Sequence, residues 1–144
     1  MVDVVPSWLL WALGSAAFAA LTAIFAKIGV ADINPDFATF IRTIVILASL
    51  AAILFATGQF QAPGSVPTKT YAFLVLSGLA TGGSWICYFR ALKIGDAARV
   101  APIDKLSVVL VAVFAVVFLG ERPSGLNWLG IGFIAVGAVL VGIK

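Results

Sequence analysis

The stretch ARVAPIDKLSVVLVAVFAVVFL, residues 98–119, decides how this chain is read. Its unbroken apolar part, Leu106 to Gly120, is shorter than the roughly 20 residues a helix needs to cross a hydrocarbon core about 30 Å thick. Extended back through Lys105, Asp104 and Pro102 to about Ala98, it becomes a full span that encloses a charged pair. Four other runs need no such extension: Trp8 to Ala26, Thr43 to Phe60, Thr70 to Phe89, and Gly125 to Ile143. The chain is therefore expected to be all-α, a polytopic bundle of five transmembrane helices at about 7–29, 37–60, 69–92, 98–119 and 125–143. Residues 1–144 then form a single transmembrane domain.

Composition points the same way. Apolar residues make up 62% of the chain and charged residues 10%, with a mean hydropathy of +1.16, whereas a soluble domain carries roughly 25% charge. No water-soluble surface can be built from such a chain, and short loops leave no room for a separate catalytic domain. The net charge of +3 is scattered over helix ends, which marks topology and site residues rather than a nucleic-acid footprint. Histidine is absent, removing the commonest metal ligand and the usual proton shuttle. No Gly-rich phosphate loop, metal cluster or nucleophile–base pair is visible, so neither an enzyme nor a cofactor or metal is expected. Cys87 is alone, which rules out an intrachain disulfide. The segment before Trp8 lacks the basic region of a signal peptide, so the first span is expected to stay in the mature protein.

The breaks between runs are turn chemistry: Asn34-Pro35-Asp36, the loop from Gln61 to Pro67 with two prolines, Gly95-Asp96, and Gly120 to Ser124, where Ser124 is placed to cap the last helix. Five spans put the termini on opposite sides. Lys69 and Arg122 fall on the N-terminal side, and Lys27, Arg42, Arg90, Lys93, Arg99 and Lys144 on the other. The positive-inside rule then predicts a multi-pass protein of the cell membrane with its N-terminus outside and its C-terminus cytoplasmic.

Intramembrane ionisable groups cost several kcal/mol unless paired or hydrated, so each is a candidate for function. Asp104 would lie about 9 Å into its span at 1.5 Å per residue, needing a cation, a hydrogen bond or a proton. Arg90 and Arg42 are its expected partners, because Lys105 projects about 100° away around the helix. A structural salt bridge and a substrate or proton site at Asp104 both remain open. For Lys27 and Arg99, snorkelling to lipid phosphates is expected. Trp85, Tyr88 and Phe89 share a helical face beside Gly82-Gly83, either as core packing or as the aromatic wall of a cavity for a planar or cationic solute. Pro102 either kinks the fourth helix or starts it. Small residues at Gly78, Gly82, Gly132 and Gly137 are candidates for close helix packing, within one subunit or between two. Trp8, Trp11 and Trp128 fall near predicted interfaces, as membrane-level anchors do.

Several segments resemble the EamA-type domain of the drug/metabolite transporter superfamily, particularly its short five-helix members. They are Trp11-Ala12-Leu13 through Thr22 to Lys27, then Phe40 to Thr43, Gly78 to Leu92, Ala98 to Ser107, and Leu119-Gly120-Glu121-Arg122 followed by Trp128-Leu129-Gly130. The resemblance covers nearly the whole chain and implies a secondary transporter resembling one half of a ten-helix inverted-repeat carrier. Such a half needs a partner, and a homo-oligomer, in particular an inverted dimer, is the natural expectation. The charge bias favours a single orientation, which leaves a parallel copy or another protein as alternatives. Small multidrug-resistance relatives use a first-helix carboxylate, and the first span here has none. The expected substrate is therefore an anionic, zwitterionic or neutral metabolite rather than a quaternary cation. Candidate substrate-binding or coupling residues are Asp104, Arg90, Trp85, Tyr88, Arg42 and Lys105. The alternatives are a non-transporting membrane subunit that stabilises a complex and a flippase for lipid-linked intermediates.

Overall fold

A computed structural model describes residues 6–143, and among these it holds five helices long and apolar enough to cross a membrane and no strand. Lys144 of the charge count and residues 1–5 of the leader reading lie outside the described residues. The helices are α1 (Ser7–Gly29), α2 (Pro35–Thr57), α3 (Thr68–Ile94), α4 (Ala97–Asp104), α5 (Ser107–Phe114) and α6 (Gly125–Gly142). The fourth span, Ala97–Leu119, consists of α4, α5 and a π-helical turn at Ala115–Leu119. The chain forms two compact units, one of residues up to Phe25 with those from Ile94 on, the other Ala26–Lys93.

Local chemistry sets the helix ends. Asn34 lies in the extended region and its side chain accepts from the backbone N–H groups of Asp36 and Phe37, at 2.8 and 3.2 Å, while Pro35 takes the first helical position. This satisfies donors that the first turn of a helix otherwise leaves unpaired. At the other end Gly58 turns left-handed, φ 65°, and its N–H returns to Leu54 and Phe55. That stop ends α2 at Thr57, three residues before the expected Phe60. Ser124 caps α6 by accepting from the Asn127 N–H at 3.2 Å, as its position predicts. Hydroxyls within the spans bond back to their own helix, Thr39 to Pro35 and Thr43 to Thr39 at 2.9 and 2.8 Å, which lets polar residues sit in an apolar solvent.

α3 is the longest helix at 27 residues, about 40 Å at 1.5 Å per residue. It exceeds a hydrocarbon core of about 30 Å and must tilt or project. Large apolar side chains point outward along the spans, Trp11 and Phe55 at 82% and 83% exposure, whereas Leu92 and Val30 at 0% and 1% are the tightest packed. In lipid an outward Leu or Phe carries no penalty, so helix association rests on close packing and polar contacts. Within their own units, Gly78, Gly82, Gly132 and Gly137 have no atom within 4 Å of where a Cβ would stand. Among the glycines of α6 only Gly142 meets a neighbour: a Cβ there would lie 2.6 Å from Ile103 Cδ1 of α4.

Candidate functional site

The unit Ala26–Lys93 gathers four cations around the turn between α1 and α2 and the carboxyl half of α3. Three are satisfied by fixed groups. The Arg90 guanidinium grips Asp36 through two parallel bonds, Nε to Oδ1 at 2.9 Å and Nη2 to Oδ2 at 2.7 Å. This fork geometry is the strongest arrangement open to an arginine and a carboxylate, and it ties the start of α2 to α3. Lys93 donates to the carbonyls of Val30, Ala31 and Ile33, closing the carboxyl end of α1 and the turn after it. Lys27 donates to the Leu92 carbonyl at 2.8 Å. Leu92 and Val30, the most buried side chains, lie at this junction.

Arg42 is held differently. Its guanidinium carbon lies 4.0 Å from the centroid of Trp85 and 5.5 Å from that of Phe89, two rings one helical turn apart on α3. The ring faces offer negative potential to the cation. Tyr88 adds an edge contact to Phe89, with centroids 6.5 Å apart. The aromatic face read from the sequence is thus a platform for Arg42, about 10 Å along α2 from Pro35 at 1.5 Å per residue. Among the described residues of its unit no carboxylate pairs with Arg42, since Asp36 is engaged by Arg90.

In the other unit the fourth span is irregular twice. Pro102 lies inside α4, past its first turn, which settles it as an interior proline that cannot donate to the carbonyl four residues before it. The helix then stops at Asp104. The Lys105 N–H is shared between the carbonyls of Ala101 and Pro102 at 3.3 and 3.1 Å, the Leu106 N–H reaches three residues back to Ile103 at 3.0 Å, and Val108 and Val109 reach three back to Lys105 and Leu106. This tightening separates α4 from α5. The second irregularity closes the π turn: Gly120, φ 68°, and Glu121 both return to the Ala115 carbonyl. Tight and wide turns inside a helix are recurrent marks of functional hinges.

The expected partnership of Asp104 with Arg90 or Arg42 is replaced by a local one. Asp104 pairs with Lys105 at 3.1 Å, the long lysine stem folding back to its neighbour's carboxylate. Arg90 is committed to Asp36 instead. Arg99, expected to reach lipid, donates to the Gly142 carbonyl at 2.9 Å and so satisfies the carboxyl end of α6. Lys27 likewise turns to a backbone carbonyl. The sequence reading missed Asp36 as a site residue, treating it as turn chemistry. The available signal was its sign: a carboxylate opening the second span on the side where the third span ends in Arg90.

Five apolar helices of spanning length among the described residues define a multi-pass membrane protein. The chain belongs to the EamA-like transporter family, whose profile matches residues 6–143. It is 66% identical over 137 residues, 95% of this chain and 97% of the relative, to a Sinorhizobium sp protein named "Uncharacterized transporter in cobO 3'region". No solved structure gives a significant match.

Proposed function

We propose that this chain is a secondary transporter of small metabolites, built as one transmembrane domain of residues 1–144 and acting as a dimer by alternating access. The observation that carries the reading is the break in the fourth span between Pro102 and Leu106, next to the Asp104–Lys105 pair. A discontinuous helix frees backbone carbonyls where they can face a passage, and places a titratable carboxylate beside them. Asp104 and Lys105 are the coupling pair in this scheme, and Pro102 fixes the position of the break. Trp85, Tyr88 and Arg42 furnish the substrate side, and Arg90, locked to Asp36, holds α2 against α3 beside them. The open faces at Gly78, Gly82, Gly132 and Gly137 suit contact with a second subunit, either an inverted or a parallel copy. The excess of Lys and Arg on one side favours an outside N-terminus and a cytoplasmic C-terminus.

Reconstitution in proteoliposomes tests the reading. With an imposed proton gradient, at least one component of a metabolite mixture should accumulate above protein-free vesicles, and no accumulation of any component would sink it. Asp104→Asn should abolish gradient-driven accumulation while leaving counterflow exchange intact; unchanged accumulation would remove proton coupling at Asp104. Crosslinking of Gly137→Cys in a Cys87→Ser background separates inverted from parallel copies, and reporters fused to each terminus decide the orientation.

A further inference from the structure

We infer that Arg42 is the receptor for the oxyanion group, carboxylate or phosphate, of a small soluble anion, and that the Trp85–Phe89 platform holds its guanidinium ready for that group. The inference deepens the transporter reading by naming a substrate class and rests on it for its biological meaning.

The argument begins with the cations. Between Ala26 and Lys93 the chain carries Lys27, Arg42, Lys69, Arg90 and Lys93 against only Asp32 and Asp36. The polar partners of Arg90, Lys93 and Lys27 are built into the fold. Arg42 has rings instead. A ring face meets the guanidinium from above and answers its charge, but leaves untouched the five N–H donors, which lie in the guanidinium plane. Among the described residues of the unit no acceptor is placed against those donors, and an oxyanion from outside it would supply one. Carboxylate and phosphate match the in-plane fork through two parallel bonds. Stacking also fixes the orientation of an otherwise flexible side chain, and a pre-organised fork loses less entropy on binding. Arg90 shows the alternative within the same unit: its fork is already filled by Asp36, so it does not compete for an incoming anion.

The same oxyanion chemistry is offered by a phospholipid headgroup, and the test separates the two sources. Trp85 is kept as the sole tryptophan through Trp8→Phe, Trp11→Phe and Trp128→Phe, in the full chain purified in a neutral detergent. Its emission is followed during titration with benzoate, succinate and inorganic phosphate, and with benzamide as the neutral control. A saturable, salt-sensitive response to at least one anion and none to benzamide is expected. Arg42→Gln should weaken it at least about tenfold, the loss of a charge-assisted pair of hydrogen bonds. Arg42→Lys, which keeps the charge but not the fork, should weaken it to an intermediate degree. Lys69→Gln, which removes a positive charge from the same unit away from the platform, should leave the affinity unchanged, which guards against a general electrostatic effect.

Equal responses in wild type and Arg42→Gln would overturn the inference. So would a response in nanodiscs to phosphatidylglycerol over phosphatidylcholine that none of the three solutes displaces, since the receptor would then serve lipid. Uptake in proteoliposomes with no anion response at Trp85 would sink the anion inference alone. An Arg42-dependent response without uptake of any metabolite would sink the transporter reading alone.

Discussion

The unit Ala26–Lys93 and the fourth span Ala97–Leu119 both place charge within apolar helices, yet they handle it in opposite ways. Asp36 and Arg90 are separated by 54 positions and meet through a two-bond fork. Asp104 and Lys105 are adjacent and satisfy each other at a place where the helix is interrupted. The first pair ties two spans together, and its geometry depends on both being correctly placed. The second pair ties nothing to anything else. It neutralises a carboxylate cheaply and leaves it able to change partner, as a coupling group must. A long-range pair is therefore evidence of architecture, while a local pair at a break is compatible with a working part. Arg42 belongs to neither class, because its charge rests on rings rather than on a carboxylate.

The largest expected departure from this contrast is in function. Arg42→Gln should lower anion uptake at least about tenfold in proteoliposomes, the cost of a charge-assisted pair of bonds. A midpoint of thermal unfolding close to wild type would show that Arg42 serves the solute rather than the fold.

Next comes the long-range pair. Asp36→Asn should lower the midpoint of thermal unfolding in detergent by several degrees, since it leaves Arg90 without its acceptor. Adding Arg90→Gln should recover part of the loss, because removing both partners is less harmful than stranding one. Equal destabilisation by the single and the double variant would show that the fork contributes little and that α2 and α3 are joined mainly by packing around Leu92.

The glycines sharpen the contrast between what packs inside a subunit and what faces outward. Gly142→Leu should cost about 1–3 kcal/mol of stability by forcing Ile103 and α4 away. Gly137→Leu has no such obstacle within its unit and should instead reduce dimer recovery on size exclusion. A shared loss of monomer stability in both variants would place Gly137 inside the subunit fold.

The smallest effect is expected at the local pair. Asp104→Asn should change stability by less than about 1 kcal/mol, the usual worth of a partly exposed neighbouring ion pair. A larger loss would mean that Asp104 holds elements together and would move it from the second class to the first.

Much of the fold was legible along the chain. The five spans follow from the length of the apolar runs, the turn at Asn34-Pro35 from capping chemistry, and the last helix start from Ser124. A second span read to Phe60 overruns α2 by three residues, because Gly58 stops the helix by its left-handed conformation. The aromatic face of α3 was legible too, since Trp85 and Phe89 are one turn apart. Its use as a seat for Arg42 was not, because nothing in the spacing of α3 indicates which residue of α2 crosses it.

The sequence by itself determined that the chain lives in a bilayer, how many times it crosses, and that Pro102 and Asp104 set the fourth span apart. These are consequences of local hydropathy and backbone chemistry, which each segment carries with it. Only the tertiary structure decided that Arg90 takes Asp36, that Asp104 turns to Lys105, and that Arg42 stacks on the Trp85–Phe89 rings. Pairing depends on distances between segments far apart in the chain. A charge chooses among several partners of suitable sign by proximity and fork geometry, and neither is written in sequence order.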